Sequence, residues 1–101
     1  MERLELTIFV KPHKHLEFKQ TLDKLFDKLQ KHCTSLKIND SENGLLFSIL
    51  AQWETAGNMH DAFNKDEFEI LFGAIEALCE NNKIRHNGIQ VGNRISILAD
   101  I

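Results

Sequence analysis

Trp53, His60 and Arg85 are the residues of this chain whose types could do chemistry, and Phe63, Phe68 and Phe72 are those that could wall a site around them. Trp53 is the sole tryptophan of a chain without tyrosine. An indole joins a large apolar area to one polar N–H, so it suits the wall of a ligand pocket as well as a core. His60 carries an imidazole, whose charge changes near neutral pH, as a general base requires. Arg85 could reach an anionic ligand. Its neighbour His86 lies on the opposite face if both sit on a strand, so at most one of the two points inward. The three phenylalanines recur at helical spacing, a pattern that serves a core as readily as a substrate pocket.

The remaining candidates point to less. His13, His15, His32 and His86 form no HExxH pattern, and no carboxylate or cysteine stands at ligand spacing from them, so no metal site is expected. Cys33 and Cys79 make no CxxC pair and fall on apolar faces near predicted helix ends, where buried reduced thiols are expected. Gly88 and Gly92 lack the lysine and the strand-to-helix setting of a phosphate loop. A net charge of −3 leaves no positive field for nucleic acid. The N-terminal residues lack the apolar stretch of a signal peptide and no run approaches a membrane span, so a cytoplasmic protein without a membrane partner is expected.

The elements that must position these residues follow from periodicity. Leu4, Leu6, Ile8 and Val10 alternate with Glu5, Thr7 and Phe9 as in a half-buried strand, which Pro12 ends. Phe18, Leu22, Leu25, Phe26, Leu29 and Cys33 then fall on one helical face, and charges of both signs cover the rest of that segment. Leu36 and Ile38 suggest a short strand, residues 39–44 a turn, and residues 45–53 the second arm of a hairpin ending at Trp53. That arm is apolar on both faces and so wants cover on both sides. Thr55 to Asn58 offers capping chemistry for a broken helical region. Asp66 could cap a longer helix carrying Phe68, Leu71, Phe72, Ile75, Leu78 and Cys79, ended by Asn81-Asn82. The tail, punctuated by Asn87-Gly88 and Gly92-Asn93, reads as one strand with a terminal hairpin arm or extension.

The order strand, helix, strand, strand, helix, strand is that of the split βαβ, ferredoxin-like α+β fold, with one domain spanning residues 1–101. Both helices then cover one face of an antiparallel sheet. Either the Leu46 and Leu50 set or the Phe47 and Ile49 set would be left open, and an apolar sheet face is an association surface. A twofold homodimer through that face is expected.

The stretch from Phe47 through Trp53 to Thr55, the stretch from Phe68 to Glu80, and Cys33 followed by Ser35 resemble the antibiotic biosynthesis monooxygenase family, whose group includes quinol monooxygenases. The likeness runs from Leu6 to about Ile89. It implies a dimeric α+β barrel in which the strand-end tryptophan lines a pocket, and a monooxygenase oxidising a small aromatic or quinol-like substrate without metal or flavin. Many members carry a histidine nine positions after that tryptophan; here the position is Ala62. His60 stands two residues earlier, about 200° around a helix. The glycine that commonly precedes the helix-end cysteine is His32. Two functions therefore stand: an oxidoreductase using Trp53, His60 and Arg85 with a wall of Phe63, Phe68 and Phe72, or a non-catalytic ligand-binding or dimeric interaction domain on the same scaffold.

Overall fold

A computed structural model describes residues 1–41 and 43–101; of the turn expected at 39–44, Glu42 lies outside the described residues. The chain runs β1 (Glu2–Val10), α1 (His15–Gln30), β2 (Ser35–Asp40), β3 (Leu46–Trp53), α2 (Ala56–Phe63), α3 (Asp66–Leu78), β4 (Cys79–His86) and β5 (Ile89–Gly92), with 3-10 turns at Pro12–Lys14 and Ile95–Asp100. The strands form one antiparallel sheet in the order β2-β3-β1-β4-β5. The first four strands keep the ferredoxin-like order, and β5 adds an edge through a hairpin. Its turn residues Asn87 and Gly88 both have positive φ, 51° and 85°, the pair that a two-residue hairpin of right-handed twist requires.

Period-2 alternation builds the inner face. Leu4, Leu6 and Ile8 of β1 stand opposite Ala51, Ile49 and Phe47 of β3, and all six are buried beneath the helices. Phe18, Leu22, Leu25 and Leu29 of α1 and Phe68, Leu71, Ile75 and Leu78 of α3 close the other side. Phe18 meets Phe47 edge to face, with ring centroids 5.2 Å apart.

The open set is therefore Leu46 and Leu50, with Phe47 and Ile49 in the core. Leu46, Leu50 and the exposed Phe9 share this face with Thr7, Ser48, Lys37, Lys83 and the Glu5–Arg85 cross-strand pair. It is more polar than β3 alone suggested.

Two boundaries differ from the sequence reading. Helix α1 stops at Gln30, and His32 and Cys33 lie in the turn that follows. Helix α3 ends at Leu78, so Cys79 opens β4, and Asn81 and Asn82 belong to that strand instead of terminating the helix. The strand register absorbs one extra residue there: Thr7 pairs with Lys83 but Phe9 with Glu80. Asn81, at φ 54°, is the residue that makes this bulge. The strand and terminal hairpin arm expected of the tail are β4 and β5, and beyond them Ile95 and Leu98 are buried on a 3-10 turn.

Candidate functional site

Trp53 ends β3 on the inner face, where alternation from Phe47, Ile49 and Ala51 must put it. It is 1% exposed. Its Nε1–H donates to the carbonyl oxygen of His32 at 2.7 Å, so strand end and helix end are tied together. Around the indole stand Phe63, edge to face with centroids 5.6 Å apart, and Phe68 at 6.0 Å. Phe72 completes the cluster through Phe63 at 5.4 Å and Phe68 at 5.8 Å. Phe68 is fully buried, and Phe63 and Phe72 are half-buried.

An open depression of about 260 Å³ lies beside the indole. Trp53, His32, Thr34, Asn58, Ala62 and Lys65 are among its walls. Thr55 makes this wall possible by capping α2: its Oγ1 accepts from Asn58 N–H at 3.0 Å. Ala62, at the position where the family resemblance expects a histidine, thus faces the depression and presents only a methyl group. His32, where the resemblance expects a glycine, stands in the same depression. Its Nε2 lies 3.4 Å from Oε2 of Glu67 on the first turn of α3. The Glu67 carboxyl is held below its usual pKa, first by a hydrogen bond from its own backbone N–H and then by His32 and Lys28. A carboxylate behind an imidazole fixes the orientation of the ring.

His60 and Arg85 are placed away from the Trp53 depression. His60 projects from the exposed side of α2, and its Nε2 hydrogen-bonds the main-chain oxygen of Ile101. Arg85 points from the open face of the sheet, where Nη2 donates to Gly88 O at 2.9 Å. The bulge at Asn81 sets this direction: it resets the alternation so that Asn82, Ile84 and His86 turn inward and Lys83 and Arg85 outward. His86 is occupied at the end of β4, 3.2 Å from Glu2 Oε1. His32 could have been singled out from the sequence only by its replacing a family glycine. Its partner Glu67 carries no sequence signal, because only the packing of α1 against α3 brings the two together.

The thiols of Cys33 and Cys79 are free, with burial raising their pKa values to about 11 and about 12. Among the described residues no three histidine, cysteine or acidic side chains converge on a point that could hold a metal, and no helix is long and apolar enough to cross a membrane.

No family model and no curated protein matches the sequence. Solved structures do match in fold. A crystal structure of an antibiotic biosynthesis monooxygenase superposes with a TM-score of 0.76 at 14% identity, covering 85% of this chain and 95% of its own. A protein from Nitrosomonas europaea, provisionally named as such a monooxygenase, gives 0.77 at 14% identity over 87% of this chain and 97% of that one. A conserved protein from Methanosarcina mazei Go1 gives 0.74 at 21% identity over 87% and 91%. The chain has the α+β ferredoxin-like fold of these structures.

Proposed function

We propose that the protein is a cofactor-independent monooxygenase of the antibiotic biosynthesis type, taking a small quinol-like aromatic at the depression beside Trp53. One observation carries the reading: Ala62 and His32 line the same depression, so an imidazole lost from the helix after β3 is regained from the turn after α1. The substrate ring lies over Ala62 against the Trp53 edge, with Phe63, Phe68 and Phe72 stiffening the indole from behind. His32, oriented by Glu67, takes a hydroxyl proton and leaves an electron-rich anion. Dioxygen attacks a ring carbon of that anion. One oxygen atom stays on the carbon and the other leaves as water, so quinol and O2 become hydroxyquinone and H2O, the substrate supplying the four electrons. His60 and Arg85 have no part in this scheme.

The sheet face with Phe9, Leu46 and Leu50 is the proposed homodimer interface. The reading also keeps the protein in the cytoplasm, where two unpaired thiols stay reduced.

The burial of Trp53 favours a second reading, a non-catalytic domain, since an indole that is 1% exposed with its N–H already satisfied can be pure core. Oxygen uptake with a panel of reduced benzo- and naphthoquinols separates the two. The enzyme reading expects turnover that falls roughly a hundredfold or more in His32→Gln, the usual size of a lost general base. Wild type no faster than His32→Gln would leave the binding domain.

A further inference from the structure

The depression beside Trp53 differs in charge from the rest of the chain. The protein carries a net charge of −3, yet the wall of the depression presents Lys31 and Lys65 against a single carboxylate, Asp61. The two lysines come from separate elements. Lys31 caps the C-terminal end of α1, and Lys65 caps the N-terminal end of α3. They meet at one cavity because the turn after α1 is tied to the end of β3 through the bond from Trp53 to the His32 carbonyl.

Neither lysine has a partner that would absorb its charge. Glu67, the acid that reaches this junction from α3, is engaged by His32 at 3.4 Å, and the lysine whose charge acts on it is Lys28. No ion pair joins Lys31, Lys65 or Asp61 to another described residue. A single surface lysine is solvated and contributes little. Two on one concave wall, backed by the low-dielectric Trp53 and phenylalanine cluster, focus a positive field into the cavity. An ammonium group has donors and no acceptor, so the ligand that satisfies the pair is an oxygen anion. At about 260 Å³ the depression lies just below the range that drug-sized ligands occupy, which points to a small molecule.

We propose that the substrate is an acid: a quinol whose ring carries a carboxylate, held by Lys31 and Lys65 while a ring hydroxyl faces His32. This inference rests on the reading of the depression as the substrate site. It makes the two lysines binding and specificity residues, with no part in the proton transfer at His32.

Amide NMR of the full chain under argon, which prevents turnover, tests it by comparing 2,5-dihydroxybenzoate with 2,5-dihydroxybenzamide, a neutral ligand of nearly the same shape. Both shift the backbone amides of residues 31–34 and 58–65 saturably, and the acid does so with a Kd roughly tenfold lower, the effect of charge-assisted contacts. That difference shrinks as salt rises from about 20 mM to about 500 mM. Combining Lys31→Gln with Lys65→Gln abolishes it and leaves the Kd of the amide unchanged. Lys24→Gln removes a positive charge from an exposed position of α1 outside the depression and keeps the difference. Equal Kd values for acid and amide overturn the inference and leave the quinol site standing. So does a difference that survives in the double variant, or one that falls as far in Lys24→Gln. Saturable shifts with neither ligand overturn the site itself and this inference with it.

Discussion

Trp53 does two things that a phenylalanine could do only by half: it fills the junction of β3 with α2 and α3, and it donates to the His32 carbonyl at 2.7 Å. Trp53→Phe therefore loses about 1 kcal/mol for the hydrogen bond, and more for the void, in urea unfolding. Glu2 contributes to acid stability. Glu2 is held below its ordinary pKa of 4.5, chiefly by the Asn87 side chain, which donates to Oε2 at 2.8 Å, and then by His86. A carboxylate whose folded pKa is lowered stabilises above its unfolded pKa and loses that contribution as pH falls through the folded value. Glu2→Gln should thus lower stability at pH 7 and flatten its decline below pH 4.5, read from unfolding curves across that range. Trp53 was conspicuous in the sequence because of its uniqueness and its place at a strand end. The His32–Glu67 pair was hidden, since neither residue belongs to a periodic pattern and their meeting depends on helix packing.

Strands and helices were legible wherever one face is apolar and the period unbroken, as in β1, α1 and β3. The start of β4 was not, because Cys79, Asn81 and Asn82 read as the tail of a helix, and a bulge in mid-strand hides the alternation of Asn82, Ile84 and His86. The short turn at Ile95–Asp100 escaped for a related reason: Ile95 and Leu98, three apart, fit a 3-10 turn as readily as a ragged strand. Asn81 is the element's control point. Asn tolerates the left-handed region and Gly prefers it, whereas a β-branched side chain is strained there. Asn81→Gly should leave the melting temperature near wild type, and Asn81→Val should cost about 1–2 kcal/mol. Equal stability of the two would mean that the bulge is not held in place by this backbone conformation.

At the scale of the molecule, one sheet face is sealed by helices and the other carries Phe9, Leu46 and Leu50 among polar neighbours. A homodimer through that face should sediment as a dimer at micromolar concentration, and Phe9→Lys with Leu50→Lys should yield a folded monomer. A wild-type monomer under those conditions would contradict the interface. The fold brings together the end of β3, the turn after α1 and the first turn of α3, and that junction is where an aromatic substrate is proposed to bind. Because Trp53 is the chain's sole tryptophan and tyrosine is missing, its fluorescence reports on this junction alone. The most direct test is a titration of that emission with a soluble 1,4-naphthoquinone, using free tryptophan as control. The account predicts quenching that saturates and that weakens in His32→Gln. Quenching that rises linearly without saturation, as for free tryptophan, would contradict it.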